Sequence, residues 1–328
     1  MCTSIAMKTD DFYFGRNMDL DCAFGERVVI TPRGYPFSFR RAGRIELHHA
    51  IIGMATVRDG YPLYAEASNE RGLCIAGLNF PENAYYPAQG DASKACISPF
   101  ELIPWVLGKC SCVEEACALL GKTCLVNIPF SDDLPISPLH WHIADRNGSV
   151  VLESTHSGMQ VYDNPVGIMT NNPPFDFHLQ NLCQYMNLTP GPPDNCFRTK
   201  AQLKPFGFGL GSVGLPGDFS PASRFVKASY LLLNSISEAD EHNSLSQFFH
   251  LLESVSMVRG GVLIPDGGKE KYEITTYSCC INADKGIYYY KTYTNHQITA
   301  VSLHHEDLDG SELIIYPIRS VQQIFHEN

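Results

Sequence analysis

Apolar residues in the first quarter of the chain come in short runs, broken by charged or glycine-bearing turns. These runs predict strands over 2–9, 12–19, 28–32, 50–57, 62–67 and 73–80. Asp59-Gly60 and Glu70-Arg71-Gly72 separate neighbouring runs as hairpin turns would. The pattern then becomes helical. In SPFELIPWVLGKC, Ser98 suits an N-cap, Pro99 the first helical position and Gly108 the exit, and CVEEACALLG predicts a second short helix. Strands return in LHWHIAD, SVVLEST and MQVYD, with Asn147-Gly148 as a tight turn. Helices are predicted over roughly 175–187, 220–237 and 244–255. In the middle one Phe225, Ala228, Leu232 and Ile236 share a face. The chain closes with TTYSCCINADKGIYYYKTY, two strands around a turn, followed by ITAVSL and ELIIYP. Strand groups alternating with helix groups predict an α+β fold, with helices covering largely antiparallel sheets.

Composition narrows the function. The chain has 328 residues and no linker rich in Pro, Gly and Ser, so one domain is expected over 1–328. A net charge of -11 and scattered cations argue against nucleic acid and anionic membrane surfaces as partners. No apolar run is long enough to span a bilayer, and no basic segment leads into an apolar core at the start. A cytoplasmic protein is expected, and with it free thiols for the twelve cysteines, most of them small buried hydrophobes. The cluster Cys110, Cys112, Cys117, Cys124 lacks zinc-ligand spacing.

Candidate chemistry begins at the second residue. Methionine aminopeptidases remove Met1 when a small residue follows, and Cys2 would then carry a thiol and a free α-amino group together. With reference pKa values of about 8.5 and about 7.7–8.0, the amine can accept the thiol's proton near neutral pH. A two-residue Asp10-Asp11 turn would fold 12–19 back along 2–9 and bring Arg16 and Asp19 beside Cys2. Arg16 would favour thiolate and Asp19 would accept from the ammonium. A plain salt bridge at a strand end fits the same pair equally well.

MCTSI, FGRNMD at 14–19, AGLNF at 76–80, NPVGIMTNNP at 164–173 and SRFVKA at 223–228 occur in that order. With SPFELIPWVLG and SPLHW they make the whole chain resemble the choloylglycine hydrolase family. These are bile salt hydrolases and penicillin V acylases, within the N-terminal-nucleophile hydrolases. The resemblance implies a four-layer αββα sandwich and an amidase that needs no metal or cofactor. It implies Cys2 as nucleophile with Arg16 and Asp19 as neighbours, Asn79 and Asn171 at the oxyanion, and Arg224 as the remaining polar site residue. It also implies a homotetramer. From the residues alone, Asn79 and Asn171-Asn172-Pro173 read equally as turn positions. Arg224 is a cation in the first turn of a helix, where the dipole prefers anions.

Penicillin V acylases of the family tend to carry tyrosine where Asn79 stands, so conjugated bile salts are the expected substrate. Penicillin V and acyl-homoserine lactones are the alternatives, and a silent steroid-binding protein is the non-enzymatic one. Met18, Phe24, Phe130 and Leu134 are candidates for an apolar wall, each with core packing as its ordinary reading. Two further signals carry less. Gly209, Gly211 and Gly214 form a G-x-G-x-x-G with no strand–helix context, expected to be a loop near the active site. His140 and His142 share a strand face and are expected to be structural.

Overall fold

A computed structural model describes residues 1–266 and 269–328. Two antiparallel sheets form its centre. The first has six strands, in spatial order 168–169, β1 (Cys2–Lys8), β2 (Phe12–Leu20), 274–282, 287–292 and 295–302. The second has eight, in order 158–163, 148–155, 139–145, 74–79, 61–69, 51–58, β3 (Arg27–Thr31) and 314–317.

One apolar core fills the space between the sheets and continues outward to α3 (Phe175–Leu182), α4 (Pro221–Leu233) and α5 (Glu241–Glu253). Ile5, Phe14, Val28, Ile52 and Leu78 meet there with Phe175, Phe225 and Phe248. A second core lies on the far face of the eight-stranded sheet, under α1 (Leu102–Leu107) and α2 (Val113–Leu120), and is built from Ile75, Trp105, Ala116 and Trp141. The result is helix, sheet, sheet, helix, as expected. β1 and β2 are covered on both faces, so their polar residues Arg16, Asn17 and Asp19 are buried.

Gly15 makes this packing possible, because a Cβ there would lie 2.0 Å from the Cys279 carbonyl oxygen on the neighbouring strand. Asp59 and Gly60 both have positive φ, 50° and 76°, which is the two-residue hairpin turn the sequence predicts.

Several local expectations are corrected. The β1–β2 connection is three residues, 9–11, because Lys8 pairs with Phe12. The turn near Asn147 is Arg146-Asn147, since Gly148 already pairs with Asp145, whose carboxylate accepts from the Asn147 and Gly148 N–H groups. The helix expected from Ser98 opens as a 3₁₀ turn, Pro99–Glu101, before α1 begins. α4 ends at Leu233, leaving Ile236 outside the helix and 90% exposed. Cys96 and Cys124 form a disulfide across the paired strands 95–97 and 123–125, against the expectation of free thiols. Of the ten free cysteines, Cys2, Cys74, Cys110, Cys279 and Cys280 are buried. The Gly209–Gly214 segment, expected to be a loop, contains a 3₁₀ turn over Leu210–Ser212 and does not line the cleft described below.

Candidate active site

β1 and β2 pair with Cys2 opposite Met18 and Ser4 opposite Arg16. The pleat therefore puts the side chains of Cys2, Arg16 and Met18 on one face and those of Asn17 and Asp19 on the other. Cys2 is 2% exposed. Arg16 Nη2 donates to its Sγ in a short contact and also lies 3.4 Å from Met18 Sδ. Nη1 donates to the Gly77 carbonyl at 2.5 Å, which ties the guanidinium to the second sheet.

Behind Arg16, the buried Glu66 carboxylate lies 3.8 Å from Nε and accepts from Tyr277 Oη at 2.9 Å and Tyr288 Oη at 2.6 Å. Burial acts to lower the Arg16 pKa, while Cys2 and Glu66 raise it, and the net position is above the ordinary value. Burial raises Glu66, opposed by Arg16 and the two tyrosines. Arg16 thus stays cationic against the sulfur.

The edge strand brings in the next group. Met169 pairs with Ser4 and Ile168 with Ile5, so the antiparallel register carries Asn171 alongside Cys2. The Cys2 N–H donates to Asn171 Oδ1 at 2.8 Å. Arg224 Nη2 donates to the same oxygen at 2.8 Å, and Nη1 donates to the Cys2 carbonyl and to Thr3 Oγ1, each at 2.6 Å. The Asn171 amide group donates to the Asn79 carbonyl at 2.7 Å. Asn171 therefore orients the backbone nitrogen of Cys2, a different geometry from the oxyanion position implied by resemblance. The Asn79 side chain lines the cleft and makes no hydrogen bond among the described residues.

Arg224 sits one turn into α4, whose first turn is capped by Ser220 and Pro221, and is buried. Burial lowers its pKa, against the pull of Asp19 and Cys2. The cation disfavoured by the helix dipole is held by oxygen acceptors of the site instead.

Asp19 lies on the opposite face, level with Met1. Its carbonyl accepts from the Met1 ammonium at 2.8 Å, and its N–H donates to the Met1 carbonyl at 3.0 Å. Thr275 Oγ1 donates to Asp19 Oδ1 at 2.6 Å, whereas Oδ2 is buried without a hydrogen-bond partner among the described residues. Burial raises the Asp19 pKa. Burial lowers the Met1 ammonium below its ordinary 8.0, so more of an amine at this depth is neutral and free to accept a proton. Met1 also forms an ion pair with Glu273.

A cleft of about 380 Å³ opens from Cys2 Sγ. Met18, Phe24, Phe130 and Leu134 all line it, together with Phe100 and Ile136. Phe24 is 54% exposed at the rim. The two histidines singled out in sequence are elsewhere engaged. His142 lies between Ser4 and Ser149, and His140 between Glu153 and the Thr170 carbonyl. Sequence reasoning missed Glu66, Tyr277, Tyr288 and Thr275, which support Arg16 and Asp19 from strands distant in the chain. A carboxylate inside the apolar run LYAEAS was the available signal for Glu66.

The profile of the linear amide C–N hydrolases, choloylglycine hydrolase family, matches residues 2–316. The chain belongs to the choloylglycine hydrolase family. It is 51% identical over the full length of both chains to a protein of Lactiplantibacillus plantarum named bile salt hydrolase/transferase, and 39% identical, again over both full lengths, to one of the same name from Clostridium perfringens. A crystal structure of a variant of the conjugated bile acid hydrolase from C. perfringens superposes with a TM-score of 0.91 at 37% identity, covering both chains completely. Penicillin V acylase from Agrobacterium tumefaciens shares the fold, with a TM-score of 0.76 at 20% identity over 98% of this chain and 94% of its own. The fold is that of this amidohydrolase family, and of the sequence-predicted polar residues Arg16, Asn171 and Arg224 contact Cys2.

Proposed function

We propose that the chain, once Met1 is removed, hydrolyses the amide bond of glycine- and taurine-conjugated bile salts. The observation that carries this reading is a cysteine thiol held by Arg16 in the lining of an apolar cleft, with its own backbone nitrogen fixed by Asn171. Identity of 51% to a relative named bile salt hydrolase/transferase supports the substrate class.

Removal of Met1 converts the Cys2 N–H into a free amine beside Asn171 Oδ1, with Asp19 Oδ2, which has no hydrogen-bond partner among the described residues, as the further acceptor. The amine takes the thiol proton, and Arg16 stabilises the thiolate. Sulfur attacks the amide carbonyl, and the Asn79 side-chain amide donates to the developing oxyanion. The ammonium passes its proton to the departing nitrogen as the C–N bond breaks, leaving a thioester. The amine then takes a proton from water, whose oxygen attacks the thioester. Free acid leaves and the thiol is restored. Arg224 holds the Cys2 carbonyl and Asn171 in place, and is a positioning residue.

We further read residues 1–328 as one catalytic unit, cytoplasmic and assembled as a homotetramer, which light scattering on the purified protein tests. Amino-acid release measured with ninhydrin from glycocholate and taurocholate, beside penicillin V and an acyl-homoserine lactone, tests the substrate. Intact mass tests the processing. A protein that is fully active while retaining Met1 overturns this mechanism, and preferential turnover of penicillin V overturns the substrate assignment.

A further inference from the structure

Three buried carboxylate oxygens lack hydrogen-bond partners among the described residues, on Asp19, Glu153 and Glu26. Asp19 and Glu153 belong to the networks around Cys2 and His140. Glu26 belongs to neither, and of the three it alone lines the cleft. It follows Gly25, whose φ of +78° turns the chain from the rim residue Phe24 into β3. Glu26 is half-buried, with its Oε1 shielded from solvent, and it shares the cleft lining with Leu20, Ala55 and Tyr64. Arg58, the other charged residue there apart from Arg16, forms no ion pair with it among the described residues. A shielded carboxylate oxygen without a protein donor, facing a largely apolar cleft, is an acceptor that a ligand donor would satisfy.

Its position indicates which part of a ligand supplies that donor. In the eight-stranded sheet, Asn79 ends one strand and Glu26 precedes β3, three strands further across. Three interstrand spacings place them about 14 Å apart. A molecule whose carbonyl lies at Cys2 and Asn79 therefore reaches Glu26 only with its far end. A carboxylate there repels an anionic amino-acid tail and accepts from a hydroxyl.

We propose that Glu26 is a specificity-determining residue that accepts a hydrogen bond from a hydroxyl on the fused-ring end of the substrate, remote from the scissile amide. This rests on the bile-salt reading above. The cleft would discriminate among ring systems by their hydroxyls and not by apolar fit alone, because a site built around an acceptor is left unpaired by an analogue lacking the donor.

The test compares the wild type, Glu26→Gln and Glu26→Leu on glycocholate and on the glycine conjugate of the ring-deoxy acid. The wild type should favour glycocholate by roughly tenfold or more in kcat/KM. Glu26→Leu should bring the ratio near unity, mostly through KM, since the contact is far from the reacting atoms. Glu26→Gln retains an acceptor and should keep part of the preference. Turnover of the ring-deoxy conjugate by Glu26→Leu, with an unchanged circular-dichroism melting curve, controls for folding. Equal losses on both conjugates, or an unchanged ratio, overturn the inference.

Calorimetric binding of the corresponding free acids is the parallel arm. If no conjugate is hydrolysed but binding still depends on the ring hydroxyls and on Glu26, the hydrolase reading falls and this one stands. Binding indifferent to Glu26 overturns it.

Discussion

Asn171 Oδ1 receives two donors, the Cys2 N–H and Arg224 Nη2, each at 2.8 Å. One amide oxygen thus joins the proposed nucleophile to a buried cation from a helix 222 residues further along the chain. An oxygen so occupied has little rotational freedom, and the Asn171 amide group is held in turn by the Asn79 carbonyl. The nitrogen that would act as base is therefore positioned before substrate arrives.

Asn171→Ala is expected to lower kcat by about 10²-fold through misplacement of the amine, with KM little changed. It should also destabilise the fold by about 1–3 kcal/mol, because Arg224 loses a buried partner. Steady-state kinetics and chemical denaturation measure the two effects separately.

Cys2→Ser keeps a small residue after Met1, so processing should continue and intact mass should report its loss. Hydrolysis of glycocholate should fall by several orders of magnitude, as for loss of any nucleophile that acts as part of a unit. The buried site is nearly isosteric, so the unfolding midpoint should move little.

Arg16→Leu leaves Glu66 buried without its cation, which should cost about 3–5 kcal/mol of stability. Adding Glu66→Gln should recover much of that loss without restoring activity, since the sulfur still lacks its guanidinium. Recovery of activity in the double variant would refute a role for Arg16 beyond charge balance.

His142 and His178 set a pH dependence. Burial pushes the first down to about 3 and the second to about 4, against an ordinary 6.5. Both remain neutral in the folded state while the unfolded chain takes up protons. Stability is thus fully present above about pH 6.5 and is lost as pH falls towards 4. The slope approaches about 1.4 kcal/mol per pH unit for each histidine. Asp19 and Glu66, both raised by burial, carry the opposite sign: stability falls as pH rises from their ordinary range towards their raised values. Urea unfolding between pH 4 and 8 measures the net slope, and His142→Asn should flatten it.

The Cys96–Cys124 disulfide closes a separation of 28 residues at the base of segments that carry Phe100 and Phe130 to the cleft. Alkylation of the denatured, unreduced protein should count ten thiols. Cys124→Ser should lower stability by roughly 2–4 kcal/mol.

Much of the site was legible in one dimension because β1, its turn and β2 are contiguous. Antiparallel pairing places Arg16 beside Cys2 once the hairpin is recognised. Met18, Phe24, Phe130 and Leu134 were identifiable as apolar residues near the motifs, although nothing in the sequence distinguished a cleft wall from core. The supporting polar residues were not legible. Thr275 and Tyr277 reach β2 through strand order within one sheet, and Glu66 through the stacking of the other sheet against it. Glu26 carries no motif, and the burial of its Oε1 follows from the packing around it.

By itself the sequence determined the order of strands and helices, the hairpin that brings Arg16 to Cys2, and the family, because these depend on local periodicity and motif order. Tertiary structure decided the contacts of Asn171. Its amide can orient an amine or face an oxyanion, and the register of the edge strand against β1 directed its oxygen to Cys2. It also joined Cys96 to Cys124 and gave Arg224 its acceptors, since long-range proximity is set by how sheets stack and helices pack, not by neighbouring residues in the chain.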